Sequence, residues 1–171
     1  SFDLSVYDIF GILASGGCIR ILNDDDRLDP KRQFEIILKE GITFWDSAPQ
    51  SLQQLTPYFN VSEITEDYKS LRLVFLSGDW IPLSLPSTIT SVFSNAVVVG
   101  LGGATEATVW SNYFIINEIK QGWKSIPYGK PIQNARYYIF NEHLKHCRIK
   151  EPGNLYIGGD WRSSIFLLHC I

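Results

Sequence analysis

The stretch Gly100-Leu101-Gly102-Gly103-Ala104-Thr105-Glu106-Ala107-Thr108 follows the apolar run Ala96 to Val99 and sets a hydroxyl and a carboxylate just behind closely spaced glycines. Glycines let backbone N–H groups approach a phosphate closely, Thr105 can donate its hydroxyl, and Glu106 can hold a divalent cation. A loop at the carboxyl end of a strand is also where open α/β sheets place their ligands. Any tight turn can be glycine-rich, so the stretch alone reads equally as a turn. Two other groups of residues invite a metal. Asp24-Asp25-Asp26 is the only charge run, and it reads as an exposed loop after a strand. His143-Leu144-Lys145-His146-Cys147 offers imidazole and thiolate. It lacks a second paired ligand set elsewhere, so a solvated loop is expected there.

The elements that must position these groups follow from periodicity. Val6, Ile9, Phe10 and Leu13 fall on one helical face, with Asp3 suited to the N-cap and Gly16-Gly17 at the end. Cys18 to Leu22 reads as a short buried strand. Asp29-Pro30 opens a second helix, Phe34, Ile37 and Leu38 form its apolar stripe, and Gly41 closes it. Strands are predicted over Ile42 to Trp45, Leu71 to Leu76 and Asn95 to Val99, with helices marked by Leu52 and Leu55 and over Ser87 to Phe93. This alternation predicts an α/β fold with a mostly parallel sheet flanked by helices. After Glu106 the texture changes to strands with little helix between them: Tyr113 to Ile116, Ala135 to Phe140 and Asn154 to Ile157. The second half is expected to be antiparallel or barrel-like.

Composition bounds the rest. The 171 residues are 45% apolar and 19% charged with net charge −3, which excludes a disordered, collagen-like or coiled-coil chain. No apolar run reaches the roughly 18 residues of a membrane helix, and scattered Lys and Arg give no basic patch for nucleic acid. Cys18, Cys147 and Cys170 stand at unrelated spacings, neither a disulfide framework nor a zinc pattern. A reducing compartment, most simply the cytoplasm, is expected. The chain holds no methionine and begins on residues that look like packed structure, as a piece of something longer would.

The loop ending in Gly-Ala-Thr-Glu resembles the adenine- and Mg²⁺-binding motif of adenylate-forming enzymes, specifically the adenylation domains of nonribosomal peptide synthetases. Three other segments are similar to that family in its own order. Ser1 to Phe10 looks like the segment that begins the amino-acid pocket. Leu73-Val74-Phe75-Leu76-Ser77-Gly78-Asp79 looks like the central strand beside the nucleotide. Ser125 to Ile132, followed by Gly153 to Gly159, looks like the barrel segment. The resemblance covers residues 1–160 as a partial adenylation domain. Residues 161–171 fit nothing in the family and read as a truncated or frame-shifted tail, or as a divergent final strand.

The resemblance implies a set of roles. Thr105 would contact the α-phosphate and Glu106 would bind Mg²⁺. Gly78, Gly102, Gly103, Ala104 and Thr105 would hold ATP or AMP, with Gly78 and Gly102 at the adenine. The family usually has an aromatic residue where this chain has Gly102, and often Asn where it has Gly100. Leu-Gly-Gly-Ala-Thr-Glu is the variant of a subgroup that activates cysteine. Asp3 would pair with the α-ammonium of the substrate, and Leu4, Tyr7, Asp46, Phe75, Ser77, Leu101, Val109 and Trp110 would line the rest of the pocket. That subgroup usually has Asn at the place of Asp46 and Leu at the place of Phe75. Cysteine is the first expectation and another small amino acid the second. A carrier-protein domain bearing phosphopantetheine and a condensation or cyclisation domain would be the partners. The family's lysine-tipped phosphate loop, ribose-binding Asp and lysine-bearing lid are not found in this chain, so the chain alone is expected to be inactive. The competing expectations are a ligase for an aryl or fatty acid and a non-catalytic gene remnant.

Overall fold

The computed structural model describes residues 3–59, 66–105, 107, 109–160 and 166–168, with 66, 67 and 166–168 described by backbone only. The expected segments at residues 1, 2, 106, 108, 161–165 and 169–171 lie outside the described residues.

A π-helical turn (Tyr7–Gly11) runs into the short helix α1 (Ile12–Ala14), and Gly16, at φ +78°, ends it. The helix forms where the pattern places it, but its apolar stripe is not the buried face. Val6, Ile9, Phe10 and Leu13 are 45–67% exposed, and Tyr7 is the residue that packs. The strand expected over Cys18 to Leu22 does not form. Arg20 turns back to bond Glu40 at 2.7 Å, which ties this segment down as irregular chain with Ile21 exposed.

Asp24 to Asp26, expected as an exposed loop, is instead the start of helix α2 (Asp24–Leu28). Asn23 caps it by accepting from Asp26 N at 2.7 Å, and three acids suit a helix N-terminus. Asp26 is buried, with Arg20 at 3.7 Å and Arg32 at 3.4 Å. Helix α3 (Pro30–Lys39) begins as predicted: the Asp29 carboxylate accepts from Lys31 N and Arg32 N, and Pro30 sits where no N–H is needed. Phe34 and Ile37 are buried along it, and Gly41 follows at φ +65°.

Strands β1 (Phe44–Ser47), β2 (Leu73–Leu76) and β3 (Val97–Gly102) pair in parallel, with the short helix α4 (Pro49–Gln53) after β1 and helix α5 (Leu85–Val92) between β2 and β3. The first strand lies two residues later than its apolar run suggests. Strand β4 (Asn112–Ile115) runs antiparallel to β3 and β5 (Lys130–Pro131) antiparallel to β4, so the sheet has the order β1-β2-β3-β4-β5. A second, antiparallel sheet holds β6 (Ala135–Phe140), β7 (Asn154–Gly159) and β8 (Phe166–Leu168). The fold is therefore α/β with a mostly parallel sheet, followed by antiparallel strands. The His143 to Cys147 segment is the connection after β6, with Leu144 at φ +55° in its turn. No helix among the described residues is long and apolar enough to cross a membrane.

Because side chains alternate along a strand, β2 and β3 divide their residues between two faces. Val74, Leu76 and Val98 point to one face and are at most 1% exposed. They pack with Ile37 of α3, Ile89 and Val92 of α5, and Leu52, Leu55, Leu71 and Phe93 in the main core. The opposite face carries Asp46, Phe75 and, beyond the strand end, Ser77. Replacing Leu76 by Ala should cost about 2–5 kcal/mol, because a wholly enclosed site leaves a cavity. A urea titration that gave less than about 1 kcal/mol would show that this face is not the core.

Candidate active site

The glycine-rich stretch is less of a loop than its composition suggests. Gly100, Leu101 and Gly102 belong to β3 and pair with Phe114, Tyr113 and Asn112. The loop proper starts at Gly103. A Cβ on Gly103 would lie 2.9 Å from both Ser111 N and Trp110 Cα, so glycine lets the loop fold back on itself. A Cβ on Gly100 would come within 3.0 Å of Ile81 Cδ1, so the glycine also serves packing.

This loop and the ends of β2 and β3 enclose a cavity of about 530 Å³. Of the residues singled out in the sequence, Asp3, Leu4, Gly78, Leu101, Gly102, Gly103, Thr105, Val109 and Trp110 line it. Thr105 Oγ1 donates to Asp3 Oδ2 at 2.9 Å, across 102 residues of sequence. The Asp3 side chain thus reaches the loop. Gly78 has φ +83°, a left-handed turn that glycine adopts without strain. Ala104 packs instead against the second core, beside Ala107, Leu155 and Ile157. Glu106 lies outside the described residues.

Tyr7, Phe75, Trp110 and Phe44 form an aromatic group beside the cavity. Ring centroids are 5.0 Å apart for Tyr7 and Trp110, 5.7 Å for Tyr7 and Phe75, and 5.0 Å for Phe44 and Phe75. Of the four, Trp110 lines the cavity itself. Asp46 stands next to Phe75 in the strand register. Both Asp46 oxygens, Ser77 Oγ, Trp110 Nε1 and Asn112 Oδ1 are buried without a hydrogen-bond partner. Each such atom costs about 1–3 kcal/mol, and native proteins rarely leave one without a purpose. Three of these four residues are ones assigned to the substrate pocket.

Sequence reasoning missed Asp8, which faces Asp46. Burial pushes the Asp46 carboxyl up to about 8, and the neighbouring Asp8 charge adds to this. Asp8 is itself raised, chiefly by burial. Burial and the Asp8 charge both favour the protonated form, so Asp46 keeps its proton in the folded chain well above the ordinary carboxylate range. Asp79, Trp80, Asn112, Ile126 and Tyr128 also line the cavity; Asp79, Ile126 and Tyr128 fall within family-like segments, but no role was expected for any of the five.

A cavity at strand ends with a glycine-rich wall is where open α/β sheets place their ligands. The family of AMP-binding enzymes matches residues 1–166, and this chain belongs to that family. Within it, the likeness is to nonribosomal peptide synthetases, in agreement with the adenylation-domain resemblance. Bacitracin synthase 1 of Bacillus licheniformis is 46% identical over 158 residues, which is 92% of this chain and 3% of that protein. Pyochelin synthetase PchE of Pseudomonas aeruginosa is 35% identical over 92% of this chain and 11% of its own length. The crystal structure of the nonribosomal peptide synthetase FmoA3 in its AMPPNP-bound form superposes with a TM-score of 0.82 at 38% identity, covering 93% of this chain and 17% of that one. The chain thus spans a small part of each relative.

The acid pair gives a pH prediction. The folded chain keeps a proton on Asp46 that the unfolded chain releases near the ordinary 3.8. Its contribution to stability is complete below that value and is lost as pH rises through about 8. Urea midpoints should therefore fall between pH 5 and pH 8, and Asp46→Asn should flatten that fall. Parallel curves for the two proteins would refute the acid pair.

Proposed function

We propose that this chain forms the core of an amino-acid adenylation site, which joins ATP to cysteine or another small amino acid. The observation that carries the reading is the hydrogen bond from Thr105 to Asp3 at the cavity wall. In an aminoacyl-adenylate the α-ammonium and the α-phosphate lie on either side of one short carbonyl link. A carboxylate beside a hydroxyl matches those two ends. Asp3 would accept the ammonium in a charge-assisted pair, and Thr105 would turn its hydroxyl to the phosphate. The substrate carboxylate then attacks the α-phosphorus, the bond to the bridging oxygen breaks, and pyrophosphate leaves. Donors already fixed along the loop favour the charge that develops on the phosphate.

For the metal, the donors available are oxygens. Glu106 and Thr105 suit Mg²⁺, which keeps several waters and takes one or two carboxylates together with substrate phosphates. Bound there, Mg²⁺ would neutralise phosphate charge. Phosphate oxygens and water would complete its shell.

The substrate's side chain would meet Ser77 Oγ, Trp110 Nε1 and Asp46, all short of partners. A thiol or hydroxyl can answer such groups, whereas a large apolar side chain would collide with the aromatic group and leave them unpaired. The α-methyl-L-serine-AMP held in another FmoA3 structure is an adenylate of that size, and this supports the reading. In the complete synthetase the acyl group would pass to the phosphopantetheine thiol of a carrier-protein domain, with a condensation or cyclisation domain downstream. The relatives' identity as peptide synthetases supports both partners. The 171-residue chain alone is expected to show no amino-acid-dependent ATP–pyrophosphate exchange.

In the full-length protein, Asp3→Asn should raise the KM for the amino acid at least about 100-fold and change the KM for ATP by less than about threefold, read by pyrophosphate exchange. Unchanged activation would favour an aryl- or fatty-acid ligase, which has no ammonium to pair. Loss of ATP binding alone would remove Asp3 from the acid's end of the site.

A further inference from the structure

The cavity's nucleotide end has an aromatic wall that no motif indicated. Three aromatic residues line the cavity: Trp80, Trp110 and Tyr128. Trp110 is buried and engaged with Tyr7 and Phe75 at the amino-acid end. Trp80 is 71% exposed and has no ring neighbour among the described residues. Tyr128 differs from both, because it is held in place and still exposed. Its ring sits against the backbone of Gly102: a Cβ there would lie 2.8 Å from Tyr128 Cε2 and 3.2 Å from Cζ. It stacks on Tyr137 at 6.0 Å and 22° between planes. Tyr137 is anchored in turn by its hydroxyl, 2.7 Å from Ser111 Oγ. The Tyr128 carbonyl accepts from Asn112 Nδ2, which fixes the backbone beneath the ring. With all this, 46% of the residue remains exposed.

We propose that Tyr128 is the ring on which the nucleotide's base stacks, and that position 102 is glycine because that ring occupies the space a side chain would need. The proposal rests on the reading of the cavity as a nucleotide site. A planar heteroaromatic base gains most from a flat partner that is already fixed, because no side-chain freedom is lost on binding. Stacking of this kind is worth about 1–3 kcal/mol per base, or about 10- to 100-fold in affinity. Gly78 lines the same cavity and, like Gly102, offers backbone that a flat ring can approach closely.

The test uses the full-length protein with Y128F, Y128L and W80L, each checked by thermal melting against wild type. Titration calorimetry with ATP should give Y128F within about twofold of wild type and Y128L weaker by about 10- to 100-fold. A second readout does not depend on affinity. The fluorescence of a 2-aminopurine nucleoside triphosphate, quenched by stacking, should be quenched at saturation by wild type and Y128F and recover in Y128L. Y128L that binds ATP as wild type does, or binds weakly with quenching intact, overturns the proposal. So does a loss carried by W80L in place of Y128L. Wild-type protein that binds no ATP would overturn the nucleotide reading and this proposal together, whereas binding by wild type and Y128L alike would overturn only the role of Tyr128.

Discussion

The alternation of side chains along β1, β2 and β3 is the constraint on which the rest of the molecule depends. Each central strand must give its two faces different work. On one face Val74, Leu76 and Val98 lie under the helices and are sealed from water. On the other, Asp46 and Phe75 stand side by side in register, and Ser77 continues their row past the strand end. A one-residue slip of β2 would carry Phe75 into the core and Leu76 into the pocket, exchanging both sets at once. The apolar face therefore fixes the register of the polar one. Parallel pairing helps here, because β1, β2 and β3 all end at the same edge and deliver Ser47, Leu76 and Gly100 to one level.

That edge carries the energetic cost of the site. Asp46, Ser77, Trp110 and Asn112 hold buried polar atoms with no hydrogen-bond partner, and the Asp8 charge beside Asp46 adds to the cost. Folding alone would not select such a set, since apolar residues of similar size would be more stable. The core beneath the sheet, from Ile37 through Leu76 to Phe93, offsets the cost. The two carboxyls also set the sign of the pocket. Asp46, raised to about 8 by burial first and by the Asp8 charge second, is the one of the two that keeps its proton near neutral pH.

Much of the fold was legible in the sequence, and for physical reasons. Helix α3 carried its cap, its Pro at the first position and its stripe within one segment, so nothing distant was needed to place it. Strands β2 and β3 were readable because their apolar runs are short and bounded by turns. Cys18 to Leu22 misled because an apolar run says nothing about whether a neighbouring strand exists; Arg20 found Glu40 instead. Asp26 misled for the same reason, since its burial is created by Arg20 and Arg32 from outside its own segment. The site divides likewise. Thr105 stood out within the glycine-rich stretch and the pocket role of Asp3 came through resemblance to a family, but no spacing joins the two, because 102 residues separate them. Asp8 and Tyr128 lie within family-like segments that gave them no role of their own, and their meaning comes from the residues that the fold brings against them.

The placement of Thr105 shows why the two sheets cannot be considered apart. Its loop leaves β3 at Gly103 and returns at Ser111, whose N–H donates to the Gly102 carbonyl at 2.8 Å. Between these points Ala104 and Ala107 turn toward the second sheet and pack with Leu155 and Ile157 of β7, and Ala107 N donates to Ala104 O at 2.8 Å. Ser111 bonds Tyr137 of β6, so both ends of the loop are tied to the antiparallel sheet as well as to the parallel one. Small residues at 104 and 107 are what allow the loop to lie this close, just as glycine at 103 allows it to fold back. The hydroxyl that meets Asp3 is thus positioned by a strand some fifty residues further along the chain. A threonine whose loop is held from both sides has little freedom left to lose, and that ordering is what the second sheet contributes to the cavity wall.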